Sequence, residues 1–361
     1  MAVDAPPTDA VPSAGQPADD WFERRLHWRA LAGALLHVRV PAESKTFFFG
    51  GITLFLFGVQ VVTGTLLALY YKPTPEAAYD SVLFLTSDVS FGWLIRSVHH
   101  WGANLMIVFL VLHLLRVFFQ AAYKFPRELT WVVGIALLGL TMMFGFTGYL
   151  LPWDQRAYWA TVVGTEIAGG VPIIGEYLLV LLRGGADVTE ATLSRFFGIH
   201  ILVLPLALGM IVAVHLVFVH QQGLASPKVP DPRPPAVPTG RTKPFFPDYI
   251  LEEVVAWLFL LAVLVVLASI FPAGLEEEAN PLETPAHVKP EWYFLGVYEL
   301  LKHVQRLVGI LAPMVFLLLL LVLPFIDRNP EVRARRRPLA ILLGIVGIAG
   351  MVGLTIWGYY S

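Results

Sequence analysis

The sequence predicts an all-α integral membrane protein with seven transmembrane helices. Three observations support this fold class. The 361 residues are 57% hydrophobic and 14% charged, whereas soluble domains carry about 25% charged residues. The mean hydropathy is +0.67. Seven separate stretches are mostly apolar and reach the length of about 20 residues that a bilayer-crossing helix needs. They run over Thr46–Tyr71, Gly92–Gln120, Thr130–Leu151, Arg195–His220, Ile250–Phe271, Val304–Ile326 and Pro338–Tyr359.

Composition divides the chain into four parts. Residues 1–44 form an arm that begins with Ala, Pro and Asp and has no basic head before an apolar core, so we expect a cytoplasmic arm and not a secretory signal. Residues 45–222 should form a four-helix N-terminal domain. Residues 223–249 are proline-dense and predict a stiff linker. Residues 250–361 should form a three-helix C-terminal domain.

The distribution of basic residues predicts the orientation. Most of the 25 Lys and Arg residues fall in the N-terminal arm and in the connections after the second, fourth and sixth spans. Seven crossings place these four segments on one side of the membrane. Since Lys and Arg favour the cytoplasmic side, the N-terminus should be cytoplasmic and the C-terminus outside. The connection after the fifth span carries the acidic run Glu276–Glu278 and should lie outside.

Four histidines inside predicted spans are the main candidates for a functional site, because ionisable groups within a bilayer are costly. His99 and His113 lie fourteen residues apart in the second span, and His200 and His215 lie fifteen apart in the fourth. Fourteen residues of helix rise about 21 Å and return to nearly the same face. The two spans run in the same direction, so His99 should face His200 near the outer surface and His113 should face His215 near the inner surface.

Each pair suits a planar metallocycle ligated from both sides, which predicts two haem groups held without a covalent bond to the chain. Zinc prefers four tetrahedral ligands, and bis-imidazole iron favours electron transfer. The alternative is four interior histidines that hydrogen-bond to their neighbours. The extra residue between His200 and His215 would misalign the second pair, and we expect a kink at Pro205 or a π-bulge to absorb it. The chain has no Cys, which excludes disulfides, thiolate metal sites, iron–sulfur clusters and thioether-linked haem within it.

Glycines and arginines accompany the histidines. Glycines recur at the fourteen-residue interval in the first and third spans, where small residues would let a flat group approach the backbone; ordinary helix packing is the alternative. One arginine lies three residues beyond each histidine of the second span, where it could neutralise haem propionates or snorkel to the interface. These candidate cofactor-binding residues are Gly50, Gly64, Gly134, Gly148, Arg96 and Arg116.

Several motifs resemble the cytochrome b family of quinol–cytochrome c oxidoreductases, the bc and b6f complexes. They are SVHHWGANLM, FPRELTW, GFTGYLLPWDQRAYWA, LSRFFGIH and NPLETPAHVKPEWYFLGVYELL, and the resemblance extends over about residues 25–358. The resemblance implies that His99 and His200 ligate the low-potential haem b. It implies that His113 and His215 ligate the high-potential haem b.

The resemblance also implies two quinone sites. The PEWY tetrapeptide would belong to the quinol-oxidation site, with Glu291 and Tyr298 as its catalytic candidates. A carboxylate that can rotate is a suitable acceptor for the protons that quinol releases, although Glu291 on sequence alone could be a solvated loop acid. The implied quinone-binding residues are Pro290, Glu291, Trp292 and Tyr293, with Pro152 and Trp153 as the facing wall and His220 at an inner quinone site.

Three departures point to the b6f type. The absent eighth span, the fifteen-residue spacing and the motif details resemble complexes in which the same helices are split over cytochrome b6 and subunit IV; here the two are fused. That type carries a covalent haem c through a Cys near the position of Phe48, which this chain excludes. A further non-covalent cofactor near Phe48 stays open. An acidic residue of the inner quinone site is replaced by Arg241, which leaves the proton path there open.

The resemblance therefore implies a subunit of a proton-translocating complex in a bacterial inner membrane. Quinol would be oxidised at the outer site, and one electron would pass through two b haems to the inner quinone. The implied partners are a Rieske iron–sulfur protein, a cytochrome c subunit, membrane lipid and a second copy of the chain, with no nucleic acid. Two other functions are considered: a di-haem membrane anchor for a different quinone-linked dehydrogenase, and a transporter without haem.

Overall fold

The structure, a computed structural model, describes residues 38–42, 48–224, 242–286 and 288–361. Its helices begin and end within a few residues of the predicted spans, except that the fourth begins five residues earlier. The predicted N-terminal arm and proline-dense linker lie mostly outside the described residues. The helices are α1 (Phe48–Ala68), α2 (Pro75–Ser87), α3 (Gly92–Phe119), α4 (Glu128–Tyr149), α5 (Gln155–Gly169), α6 (Gly175–Arg183), α7 (Glu190–Gln222), α8 (Ile250–Ile270), α9 (Trp292–His303), α10 (Arg306–Ile326) and α11 (Pro338–Tyr360).

Seven helices in the described part of the chain are long and apolar enough to cross a membrane: α1, α3, α4, α7, α8 with its preceding turn, α10 and α11. Buried residues make up no more than 22% of the most apolar stretch of each helix. Their apolar side chains therefore face outward, as in a protein whose surface meets lipid. The predicted all-α, seven-span membrane fold is confirmed.

The seven spans form two groups. In the first group, α1 packs along α3 and α4 packs along α7. In the second, the span α11 packs against the short helix α9, which is not a span, and the span α10 contacts both α9 and α4 of the first group. The helix α8 packs on α3 and α1, where Leu260 and Leu264 enter the apolar core around Leu56. The first group holds all four histidines.

One end of the molecule collects the basic connections. Strand β1 (Arg39–Pro41) pairs antiparallel with β2 (Thr242–Pro244), which joins the N-terminal arm to the segment before α8. Lys124, between α3 and α4, forms an ion pair of 3.1 Å with Asp327 at the end of α10. Arg127 donates to the backbone carbonyl of Gln222 at the end of α7. The described parts of the four basic segments therefore lie on the same side, as the span count predicts.

The opposite end is built from the α4–α5 turn and the long α8–α9 connection. The backbone of Gln155 donates to Glu277 at 2.8 Å, and Ala279 donates to Trp153 at 3.1 Å. These bonds, with an antiparallel bridge between Asp154 and Glu278, attach the connection to the start of α5. Sequence patterns missed α2, α5, α6 and α9, which do not cross the membrane, and the short β1–β2 ladder.

Candidate functional site: two histidine pairs and the PEWY segment

The outer histidine pair is formed by α3 and α7. The imidazole centroids of His99 and His200 lie 6.4 Å apart with an interplanar angle of 66°. The Nδ1 atom of each ring is engaged by a threonine hydroxyl of a neighbouring helix, Thr63 at 2.8 Å and Thr147 at 3.1 Å. This contact leaves Nε2 of each ring for another ligand. Partners of this kind fix the tautomer and orientation of a metal-ligating histidine.

The separation of the two outer rings suits a metal ion that is bound by both imidazoles. Metal–imidazole bonds are about 2 Å long, and a ring nitrogen lies about 1 Å from its ring centre, so a metal ligated by both rings separates the centroids by about 6 Å. The separation of 6.4 Å agrees with this value. Among the described residues no three His, Cys, Asp or Glu side chains gather into a metal cluster, so two-ligand binding of a metallocycle is the arrangement that the donors support.

The inner pair lies at the other end of the same helices. Neither Nδ1 of His113 nor Nδ1 of His215 has a hydrogen-bond partner among the described residues, although both atoms are buried. Buried polar atoms in native proteins nearly always find a partner. The inner rings therefore lack the threonine partners that orient the outer rings. The helix rise between His99 and His113 places this pair about 21 Å from the outer one.

Four glycines face the four histidine rings. A Cβ atom placed at Gly50 would lie 3.2 Å from Cε1 of His113, and one at Gly64 would lie 3.1 Å from Cε1 of His99. On α4, the corresponding distances are 3.5 Å for Gly134 and His215, and 2.5 Å for Gly148 and His200. The predicted glycine period is therefore present, and its partner in this structure is the imidazole ring. Ordinary helix packing does not explain why each glycine faces a different member of the same set.

A π-helical segment lets α7 present both of its histidines. Ile199–Val203 forms this segment and includes His200, and Pro205 follows two residues after its end. A π-turn contains one residue more than an α-turn and so offsets the fifteen-residue spacing. The predicted π-bulge is therefore present.

The two predicted arginines lie in different surroundings. Arg96 donates to the carbonyls of Ala273 and Gly274 at 2.7 Å each, so it holds the start of the α8–α9 connection in this structure. Arg116 lies in the last turn of α3 and interacts electrostatically with Tyr249. Phe48 stacks on Tyr249 with a centroid distance of 5.5 Å.

The PEWY segment lies at the start of α9. The Glu291 carbonyl accepts from the backbone of Phe294, and Trp292 donates through Nε1 to Asn104 of α3 at 2.7 Å. The Tyr293 ring fills the space beside Gly145, where a Cβ atom would lie 3.0 Å from the ring and its hydroxyl. Burial raises the pKa of Glu291, and the nearby Arg156 guanidinium opposes this change. A carboxylate whose pKa is raised is a better proton acceptor.

The Pro152–Trp153 turn, the predicted facing wall, lies between α4 and α5. Trp153 is 5% exposed and has a φ of 53°, a left-handed conformation that is uncommon for a residue with a side chain. It follows Pro152, and the turn attaches to the α8–α9 connection. Tyr298 donates to the Val288 carbonyl at 3.3 Å and lines a cavity of about 340 Å³ with Trp159, Lys289 and other residues.

The comparison with known proteins gives the family. The family model for Cytochrome b/b6/petB matches residues 37–223, and the model for Cytochrome b(C-terminal)/b6/petD matches residues 278–361. The chain is 40% identical over 337 residues to a cytochrome bc complex cytochrome b subunit of Chlorobaculum thiosulfatiphilum, covering 91% of this chain and 78% of that one. The chain belongs to the cytochrome b family.

Two further similarities support the fused architecture. The chain is 45% identical to cytochrome b6 of Prochlorococcus marinus over 212 residues, which is 58% of this cytochrome b and 97% of the relative. A solved structure described as a hyperthermophilic respiratory Complex III superposes with a TM-score of 0.85 and 35% identity, covering 94% of this chain and 91% of that one. This cytochrome b is therefore a multi-pass, haem-binding electron-transport subunit of a bc-type complex.

At the inner end, the structure adds a residue that the sequence did not identify. Glu253, in the first turn of α8, is 4% exposed, and its carboxylate lies so close to Gly51 that a Cβ atom there would overlap it. Gly51 follows Gly50, which faces His113. A buried carboxylate within a span is a candidate functional group, and its occurrence in an apolar helix was the available signal. His220 is exposed in the last turn of α7, and Arg241 lies outside the described residues.

Proposed function

We propose that this cytochrome b oxidises quinol as part of a proton-translocating quinol–cytochrome c oxidoreductase and holds two b haems. The observation that carries the proposal is the set of two histidine pairs, each backed by a glycine on α1 and a glycine on α4, together with a partly buried carboxylate in the PEWY segment. A transporter without haem would have no use for this arrangement. A di-haem anchor would need the histidines but not the PEWY segment.

The residues of the chain would hold the two haems from both faces. His99 and His200 would hold the outer haem, with their rings oriented by the hydroxyls of Thr63 and Thr147. His113 and His215 would hold the inner one. Haem, when bound, supplies reversible one-electron exchange. Because each site offers two histidine donors, it would favour electron transfer over oxygen chemistry.

Glu291 would take a proton from quinol, with Tyr298 and the Pro152–Trp153 turn as further parts of the site. Oxidation of one quinol to quinone releases two protons and two electrons. One electron would leave to a Rieske iron–sulfur protein and then to a cytochrome c subunit. The other would remain with this chain and serve quinone reduction near the inner histidine pair. Burial of Glu291 suits this role because it keeps the carboxylate ready to accept a proton.

At the inner site, quinone reduction would take up protons. Glu253 is a buried carboxylate beside Gly51 and is the proposed proton donor there, while His220 at the end of α7 is the proposed quinone contact. The basic connections on that side favour a cytoplasmic location in a bacterial inner membrane. Protons would then be taken up from the cytoplasm and released outside. A second copy of the chain completes the proposed complex.

The substitution Glu291→Gln tests the outer site in the assembled complex. Reduction of cytochrome c by a short-chain quinol should fall by about 100-fold, the range expected when a general base is lost. The dithionite-reduced spectrum should not change, because the histidine pairs are intact. Glu283→Gln, an exposed acid of the same connection, should keep the wild-type rate. Unchanged quinol oxidation in Glu291→Gln, or oxidation insensitive to inhibitors of both quinone pockets, would favour the anchor function.

A further inference from the structure

Asn104 is an uncharged polar residue within a membrane span, and its side chain reaches the PEWY segment. It lies on α3, five residues after His99 and therefore about 7 Å further into the membrane by helix rise. Polar side chains inside a bilayer are costly unless they find partners. The partners of Asn104 therefore indicate what this residue does.

Both ends of the Asn104 amide have a partner. Its Nδ2 atom donates to the carbonyl of His100 on the same helix at 2.9 Å. Its Oδ1 atom accepts from Nε1 of Trp292, the first residue of α9, at 2.7 Å. An indole nitrogen can only donate and a backbone carbonyl can only accept. The two partners therefore fix the orientation of the amide, and an apolar side chain of the same size could satisfy neither.

The start of α9 is held between two spans. The hydrogen bond just described attaches Trp292 to α3. The next residue, Tyr293, packs against α4 beside Gly145, where a Cβ atom would lie 3.0 Å from its ring. Glu291 directly precedes these two residues, and its carbonyl accepts from the first turn of α9. Pro290, on the other side of Glu291, has a ring that fixes its own φ. The position of the Glu291 backbone therefore depends on both contacts.

We propose that Asn104 is a positioning residue for quinol oxidation, because it holds the Trp292 indole against α3 and so fixes the place of the adjacent Glu291 carboxylate. The proposal rests on the proposed role of Glu291 as proton acceptor. Proton transfer needs the two heavy atoms within about 3 Å of each other, and a misplacement of about 1 Å can cost about 100-fold in rate. Since the contact between Tyr293 and α4 stays in place, loss of the Asn104 bond should misplace the carboxylate only in part.

The test is quinol oxidation by the purified complex, measured as turnover per haem so that the amount of assembled protein does not affect the result. Asn104→Leu keeps the approximate size of the side chain and removes the acceptor. We expect kcat/KM for a short-chain quinol to fall by about 10-fold, mostly through kcat, because the lost contact serves the proton-transfer step. The dithionite-reduced spectrum should not change, since His99 and His200 keep their threonine partners.

Trp101→Phe is the matched control. Trp101 is also on α3 and also donates through Nε1 to the α8–α9 connection, to the carbonyl of Phe271 at 2.7 Å. This bond lies twenty residues before Glu291 in the chain, so its loss should leave kcat within about twofold of the wild type. Trp292→Phe removes the bond to Asn104 from the other side and should lower kcat as Asn104→Leu does. It therefore keeps the test decisive if Asn104→Leu fails to assemble.

A double variant shows whether Asn104 acts through Glu291. In Glu291→Gln there is no carboxylate to position, so the further change Asn104→Leu should add almost nothing to the loss of rate. A wild-type rate in Asn104→Leu beside a slow Glu291→Gln variant would overturn the proposal. Two losses that multiply in the double variant would overturn it as well, since Asn104 would then act independently of the carboxylate. Failure of the proposed function would look different, because Glu291→Gln would itself oxidise quinol at the wild-type rate.

Discussion

A methyl group at Gly148 should disturb the outer histidine pair far more than the same change at Gly134 disturbs the inner one. A Cβ atom at Gly148 would lie 2.5 Å from Cε1 of His200, which is about 1 Å inside ordinary carbon–carbon contact. At Gly134 the distance to His215 is 3.5 Å, an ordinary contact. Overpacking of this kind costs about 1–3 kcal/mol. Thr147, which lies next to Gly148 on α4, is within hydrogen-bond distance of Nδ1 of His200, so the ring cannot turn away without losing that contact.

The assay is a haem count per chain, with reduced-minus-oxidised spectra of the purified Gly148→Ala and Gly134→Ala complexes. Gly148→Ala should lose or markedly shift the outer haem signal and keep the inner one. Gly134→Ala should keep both. Gly64→Ala and Gly50→Ala, at 3.1 and 3.2 Å, should fall between them. Equal spectra for Gly148→Ala and Gly134→Ala would refute the claim that these glycines provide space for the ligand rings.

Three further outcomes are expected. Thr63→Val removes the hydroxyl that orients the first outer ligand and should weaken haem retention by about 10- to 100-fold, measured by haem loss to an apo-globin acceptor. Asp327→Ala leaves the buried cation Arg337 without its carboxylate and should lower the free energy of unfolding by about 3–5 kcal/mol. Arg336→Ala removes an exposed ion pair with Glu331 and should lower it by less than about 1 kcal/mol. Thermal unfolding measures both. Hydrogen bonds from Lys302 and His303 lower the pKa of Glu299 to about 2. The ionised form therefore stabilises the α9–α11 contact above the ordinary carboxyl pKa of about 4.3. The melting-temperature deficit of Glu299→Gln should stay constant from pH 8 to 5 and shrink only as pH falls from about 4 towards 2.

Sequence reasoning recovered the features that have a local or periodic signal. The spans follow from runs of apolar residues, and the recurrence of glycines at the histidine interval follows from helix geometry, although the spacing did not indicate that Gly148 faces the His200 ring itself. The fifteen-residue interval indicated the π-helical segment at His200. These signals lie within single helices and need no knowledge of how distant segments meet.

The remaining parts depend on contacts between segments far apart in the chain. Arg156 and Glu276 are 120 residues apart, and nothing in either local pattern indicates that they form an ion pair. Glu253 lies in an apolar helix, and its place beside Gly51 follows from how α8 packs on α1. The helices α5 and α9 are short and are held by the loops around them, so their composition alone did not distinguish them from connections.

The haem content of the purified chain tests the central claim most directly. A pyridine haemochrome assay combined with protein quantitation should give two b haems per chain, and His99→Leu and His113→Leu should each retain one, with different spectra. That result would assign one haem to each histidine pair. A single haem per chain in the wild type, or loss of both haems in a correctly folded His99→Leu variant, would contradict the two-site arrangement.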